Sequence, residues 1–441
     1  MKYRTYNIRT FENIPQVKNS LSEKEIFDIK VVAKVFPFKV NNYVIEKLID
    51  WSDPLNDPIF RLTFPQRGML TDEDYNKIAT LLKNGESEEK INKVVHDIRM
   101  KLNPHPAGQK YNIPEIDGEK LHGSQHKYRE TILFFPKQGQ TCHAYCSFCF
   151  RWPQFIGINE LKFAMKEVDI LIRYIKAHPE ITDILFTGGD PLIMKTKLLK
   201  QYIEPILEAD IPNLKTIRIG SKALGFWPYR FLTDDDAQEL LDLFKKIVDK
   251  GYHLAYMAHF NHYKELETEE VQEAIAKIRE TGAEIRTQSP ILKHINDSSD
   301  VWAKMWQKQV ELGMIPYYMF MARDTGAQHY FGVPLVRAWK IFTDAFKQVS
   351  GIARTVRGPS MSATPGKIRM LGITEINGKK YMVLDFLQGR NPDWVGKPFF
   401  AEYNEEALWI DDLKPAFSDK FFYEEELEEI LSRDRLEAGV S

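Results

Sequence analysis

From Thr131 to Ala322 the chain alternates short apolar runs with longer stretches that read as amphipathic helix. The short runs are TILFF (Thr131–Phe135), DILF (Asp183–Phe186), TIRI (Thr216–Ile219), HLAYMAHF (His253–Phe260), EIRTQSPI (Glu284–Ile291) and IPYYMFMA (Ile315–Ala322). After the first run, Leu161, Met165, Val168, Leu171, Ile172 and Ile175 recur every three or four residues, which predicts a helix. Further helical stretches fall near Asp235–Lys250, Glu269–Thr281 and Ser299–Gly313. Each unit takes about 30 to 40 residues, the spacing of βα repeats with parallel strands. Six such units make a partial barrel or an open curved sheet, so the expected class is α/β with a partial (β/α)6 barrel. Chemistry in βα barrels gathers at the C-terminal strand ends. Those ends carry Cys142–Cys149, Gly188–Asp190, Ser221, His259, Gln288 and Arg323–Asp324.

The chain has three cysteines, Cys142, Cys146 and Cys149, all in TCHAYCSFCFRWPQF (Thr141–Phe155). An odd number cannot complete a disulfide framework. The spacing C-x3-C-x2-C can turn three sulfurs toward one soft metal centre. Structural zinc is one reading, with His143 as a possible nitrogen ligand, but zinc normally takes four protein ligands. An iron–sulfur cube held by three thiolates is the other, and it leaves one iron open for an outside ligand.

CHAYCSFC resembles the CxxxCxxC motif of the radical S-adenosylmethionine (SAM) superfamily, with an aromatic residue before the third Cys. TGGDP (Thr187–Pro191) on its own reads as a strand-to-helix turn. After the second strand it resembles that superfamily's GGE-type motif, where backbone and acid meet the amino group of SAM. The likeness extends to lysine 2,3-aminomutase-like proteins. It is carried by SDPLNDPIFRLTFP (Ser52–Pro65), HKYRETILFF, LFTGGDPL, IRIGSKA, AHFNH and TQSPILKHIND in that order, over about residues 30 to 370. The resemblance implies a [4Fe-4S] cluster on Cys142, Cys146 and Cys149, with SAM completing the open iron. SAM would lie against Gly188, Gly189, Asp190, Ser221, His259 and Gln288.

That branch also carries pyridoxal 5′-phosphate (PLP) on a lysine in a glycine-rich loop after the last strand. The matching stretch is SMSATPGKIRM (Ser360–Met370), which makes Lys367 the PLP lysine. Read without the resemblance, Pro-Gly-Lys is a surface turn. Lys127, Tyr128 and Arg129 would assist with a cation for the phosphate and an aromatic face for the ring. The implied reaction is a 2,3-aminomutation: a 5′-deoxyadenosyl radical takes hydrogen from the β-carbon, and the α-amino nitrogen migrates there through its bond to PLP. Arg151, two residues after Cys149, matches the arginine that binds the substrate α-carboxylate in this branch. Lysine-specific members hold the distal ammonium with two acids. Here the first position falls on Arg323, with Asp324 beside it, and the second near Ser360. An arginine there favours an acidic substrate, most simply glutamate giving β-glutamate. Lysine, free or within a protein, remains the rival through Asp324, and a non-catalytic iron–sulfur or zinc protein is a third reading.

Three regions are expected: a mostly helical N-terminal lobe (1–125), the barrel with its PLP-lysine loop (126–370), and a small α+β extension (371–441). In the extension, Asn377-Gly378 sits between strand-like runs as a hairpin turn, and FFYEEELEEILSRDRLEAG reads as a charged surface helix. The formal net charge of -2 gives no electrostatic footprint for nucleic acid. No apolar run reaches the roughly 18 residues that span a membrane, and the N-terminus lacks a signal peptide's apolar core. The expected setting is the cytoplasm. The expected partners are a small amino acid, an external electron donor and possible copies of the same chain.

Overall fold

The computed structural model describes residues 1–103, 112–157 and 163–438. Its main sheet has eleven strands among the described residues. In chain order they are β1 (Ser124–Tyr128), β2 (Thr131–Phe134), β3 (Asp183–Phe186), β4 (Thr216–Ser221), β5 (His253–His259) and β6 (Glu284–Pro290). Then come β7 (Ile315–Phe320), β8 (Arg357–Ser362), β9 (Gly366–Ile376), β10 (Lys379–Gly389) and β11 (Phe399–Glu402). Spatial order follows chain order from β1 to β11. Strands β2 to β8 are parallel, while β1 and β9–β11 pair antiparallel at the two flanks.

Helices Val168–Ala177, Thr196–Glu208, Ala237–Asp249, Glu269–Glu280, Ser299–Glu311 and Leu335–Lys347 return the chain between successive parallel strands. This is the α/β partial barrel expected from the repeat. The strand interiors are apolar because helices cover them: Ile132, Phe134, Ile184, Phe186, Ile217 and Ile219 are fully buried. Two details differ from the sequence reading. The first helix begins at Val168, because Met165 is drawn into a β-bridge with Pro136, and Leu161 lies outside the described residues. The parallel set also has a seventh member, β8, beyond the six expected.

The sheet curves until β1 reaches the end of β8. The Lys127 ammonium on β1 donates to the carbonyl of Ala363, just past β8. The turn after β8 is short, with Ala363 N–H bonded to Gly366 O at 2.9 Å, and the chain returns at once as β9. Lys367 is therefore the second residue of an antiparallel strand, opposite Ser362, and not part of a loop. The sheet continues through Met370 into the C-terminal strands. The β9–β10 turn has Asn377 at φ 52° and Gly378 at φ 75°, the left-handed pair that a type I′ hairpin requires.

The N-terminal segment is largely helical (Pro15–Ser20, Glu23–Val35, Pro58–Thr63, Asp72–Lys83, Glu88–Lys101), with strand Thr5–Asn7 paired antiparallel to Lys39–Asn41. The second DP of SDPLNDPI is a helix start. Asp57 caps Ile59 and Phe60 N–H at 2.9 and 2.8 Å, and the proline occupies the first turn. Buried Asp57 also pairs with Lys264 at 2.7 Å, which ties this helix to the barrel. Among the described residues no helix is long and apolar enough to cross a membrane.

Candidate active site

Cys142, Cys146 and Cys149 lie in the loop after β2, all unpaired. The loop is held by the N-terminal lobe. Tyr145 N–H bonds to Lys39 O and Ser147 N–H to Leu62 O, both at 2.8 Å. Ser147 Oγ donates to Arg61 O at 2.7 Å. Burial pushes all three thiols up, Cys149 to about 11, so a bound metal is what would hold them as thiolates near neutral pH. Among the described residues no three or more His, Cys, Asp or Glu are arranged to hold a metal ion. A cube does not need that convergence, since each thiolate binds its own iron. The His143 imidazole, the nitrogen a zinc reading would use, is buried edge-on to Tyr3 with Nδ1 unpartnered. Burial drops it to about 3.

The glycine pair after β3 abuts this loop. Gly188 has φ 138°, and a Cβ there would run into the Gln140 side-chain amide. A Cβ on Gly189 would meet Thr141 N and O at 2.5 Å. Asp190 N–H donates to Thr141 O at 2.7 Å, closing the junction. The Asp190 carboxylate is fully engaged. Oδ1 accepts from Leu192 N–H (3.0 Å) and Ser221 Oγ (2.8 Å), and Oδ2 lies 2.9 Å from both Lys222 N–H and Ser221 Oγ. Asp190 and Ser221, read from the sequence as SAM contacts, thus bond chiefly to each other and to the ends of β3 and β4.

His259 ends β5 with its ring 5.7 Å from that of Phe148 in the cysteine loop. Its Nε2 is buried without a hydrogen-bond partner, and burial holds the imidazole neutral. Gln288 follows on β6, where its carbonyl accepts from Phe260 N–H at 3.3 Å. Behind them lies a buried network. Lys222 Nζ donates to His259 O (3.2 Å), Asn261 Oδ1 (2.9 Å) and the fully buried Glu265 (2.5 Å). Asn261 Nδ2 reaches Ser289 Oγ at 2.9 Å. These bonds lock the ends of β4, β5 and β6 together.

The remaining site residues form a cluster of cations among aromatic rings. Lys367 Nζ lies over the rings of Tyr318 (4.2 Å), Phe320 (5.6 Å) and Tyr128 (5.9 Å). Burial, then the charges of Arg218 and Arg357, lower it to about 7. Burial, then Arg390, Arg323 and Lys367, hold Lys127 well below the usual lysine value. Arg151 lies 4.4 Å from the Phe135 centroid and 5.0 Å from that of Phe150, and Arg323 lies 5.3 Å from the Phe150 centroid. Burial brings Arg151 to about 10. The Arg323 side chain is 40% exposed, while its Nε is buried without a hydrogen-bond partner. Its Nε is 3.8 Å from Asp324 Oδ1. Ser360 is fully buried, with Oγ on Met319 O at 3.3 Å.

Arg129 does not join this group. It occupies the β1–β2 turn with its side chain 61% exposed, beside Glu130 at 3.8 Å. Sequence reading also missed Arg390, which clamps the turn after β8 through Thr364 O (3.0 Å) and Pro365 O (3.0 Å). It missed Arg357, 4.4 Å over Tyr317, as well. Arg390 stands near no motif, and Arg357, three residues before Ser360, is brought in by the pairing of β8 with β7.

Comparison with known proteins agrees with this arrangement. The chain is 32% identical over 406 residues to a protein of Aquifex aeolicus named "Putative L-lysine 2,3-aminomutase", covering 92% of this chain and 93% of that one. It is 26% identical over 350 residues to L-lysine 2,3-aminomutase of Bacillus subtilis, covering 79% of this chain and 64% of that one. No family model matches. Among solved structures, a radical SAM methyltransferase from Sphaerobacter thermophilus aligns over 53% of this chain and 68% of its own. Its identity is 15% and its TM-score 0.37, too loose a likeness to add to the assignment.

Proposed function

The chain belongs to the lysine 2,3-aminomutase family of radical SAM isomerases, and from that premise we propose that it moves the α-amino group of an acidic amino acid, most simply glutamate, to the β-carbon. The family works with a [4Fe-4S] cluster, SAM and PLP, and the residues present suit all three. Cys142, Cys146 and Cys149 would hold the cluster. The Gly188–Gly189 backbone, His259 Nε2 and Gln288 would face SAM, with Asp190 and Ser221 fixing the strand ends behind them. Lys367, with an amine near 7 inside an aromatic box, would carry PLP. Lys127 would offer its charge to the phosphate and Tyr128 its ring to the pyridine. Bound together, these groups would supply a radical initiator for hydrogen abstraction and an electron-delocalising carbonyl cofactor for the amino shift. The chain's part is to orient the substrate and keep water out of the site.

One observation carries the acidic substrate: Arg151 and Arg323 both lie near the same Phe150 ring, at 5.0 and 5.3 Å from its centroid. Among the described residues Arg151 has no carboxylate partner, and Arg323 has only Asp324, at a loose 3.8 Å. Two guanidinium groups at one site suit a dicarboxylate, Arg151 on the α-carboxylate and Arg323 on the distal one. A lysine side chain would instead bring its ammonium against Arg323. The test is anaerobic turnover of the reconstituted protein with SAM, PLP, reductant and single amino acids, following 5′-deoxyadenosine and β-amino acids together. β-Glutamate without β-lysine is the expected result. β-Lysine from free lysine, or from a lysine-bearing protein, overturns the substrate and keeps the reaction. 5′-Deoxyadenosine without any β-amino acid overturns the reaction itself.

A further inference from the structure

Lys39 stands outside every motif, yet it reaches the cysteine loop from the N-terminal lobe. Its ammonium donates to the carbonyl of Cys142 at 2.7 Å, and its own carbonyl accepts from Tyr145 N–H at 2.8 Å. It also lies 5.7 Å from the Tyr145 ring. Two neighbours brace the same turn: Tyr3 Oη donates to His143 O at 2.8 Å, and buried Asn41 reaches that carbonyl at 3.3 Å. Three other cations near the strand ends are matched by acids. Lys222 has Glu265, Arg230 has Asp236, and Lys264 has Asp57. Among the described residues Lys39 has no carboxylate partner; burial lowers its pKa, and the charge it would face is that of the Cys142 thiolate once metal is bound.

We propose that Lys39 is a positioning residue whose uncompensated charge sets the reduction potential of the cluster held by Cys142, Cys146 and Cys149. The inference rests on the cluster assignment above. Reduction adds one negative charge to a centre already surrounded by thiolates. A fixed cation beside the first thiolate stabilises the reduced form and raises the potential. The lobe that carries Lys39 would thus set how readily the centre accepts the electron on which radical formation depends.

The experiment is an EPR-monitored redox titration of the full-length, anaerobically reconstituted protein, with iron and sulfide counted in each sample. K39M is expected to carry a full cluster at a more negative potential, and K39R to return close to the parent. Y3F, which removes a neutral hydrogen bond from the adjacent carbonyl, is expected to leave the potential in place. A fully loaded K39M with the parental potential overturns the proposal. A shift in Y3F equal to that in K39M also overturns it, because loop displacement and not charge would then be the cause. Should K39M fail to load, K39Q keeps a donor without the charge, and a parental potential there overturns the proposal equally. A parent protein that takes up no iron–sulfur cluster overturns the cluster assignment itself, a separate outcome.

Discussion

The ammonium of Lys367 lies 4.2 Å from the centroid of Tyr318, on the strand two places away in the sheet. A ring face attracts a cation, but here burial dominates and the amine falls from 10.5 to about 7. Two consequences follow. Lys367 should be captured by PLP and borohydride with a midpoint near pH 7, while exposed lysines react at much higher pH. Stability should also depend on pH. Between pH 7 and about 10.5 the unfolded chain holds a proton on Lys367 that the folded chain does not, so the folded state gains as pH rises through that window. Cofactor-free K367M should therefore out-melt the parent below pH 7, with the gap closing as pH rises toward 10. An equal gap across that range would contradict the buried amine.

In the proposed reading Arg323 and Arg151 divide one task, and kinetics can separate them. Loss of a charge-assisted pair costs about 1.5–3 kcal/mol. R323A should therefore raise KM for glutamate about 10- to 100-fold while sparing substrates without a distal carboxylate. R151A should lower kcat/KM for every amino acid accepted, because each has an α-carboxylate. R323D, which adds a second acid beside Asp324, should shift preference toward lysine. Glutamate turnover by R323D with unchanged KM would remove Arg323 from substrate reading.

Much of this was legible in the chain because buried parallel strands are unbroken apolar runs. TILF, DILF and TIRI announced themselves, and the polar residues after them had to lie at the strand ends. Strand β8 reads RGPSMS and has neither an apolar run nor alternation. It is a strand because β7 and β9 pair with it on either side. Lys367 was found by motif but placed in a loop, since Thr-Pro-Gly signals a turn without saying how soon pairing resumes. Arg129 follows Lys127 and Tyr128 in sequence, yet the chain reverses there and leaves it outside. Lys39 sits 103 residues from Cys142, and nothing local marks it. Closure of the barrel and docking of the lobe decide such pairs, and a single sequence does not record them.

Asp190 braces the ends of β3 and β4 in this geometry, and stability measures how much of its role that bracing is. D190A would strand two buried amides and one hydroxyl, each worth about 1–3 kcal/mol when unsatisfied. It should melt far below the parent without any cofactor present. S221A removes one hydroxyl and should cost about 1 kcal/mol. Were Asp190 instead a free contact for the SAM ammonium, D190N would weaken SAM binding and leave the cofactor-free melt unchanged.

The glycine pair gives the sharpest test of how the cluster loop is seated. At Gly189 the space that a methyl would need is held by the Thr141 backbone at 2.5 Å, and backbone cannot swing aside as a side chain can. G189A must therefore push the start of the cysteine loop away from β3 or fail to close the bond from Asp190 N–H to Thr141 O. Either way the three sulfurs lose their common setting, and reconstituted G189A should bind markedly less iron than the parent. G220A is the matched control. It lies one strand over, with its nearest neighbour, Leu185, at 3.6 Å, ordinary contact for a methyl. It should load iron normally and melt close to the parent. Equal iron in G189A and G220A would mean that the loop is seated by the N-terminal lobe alone.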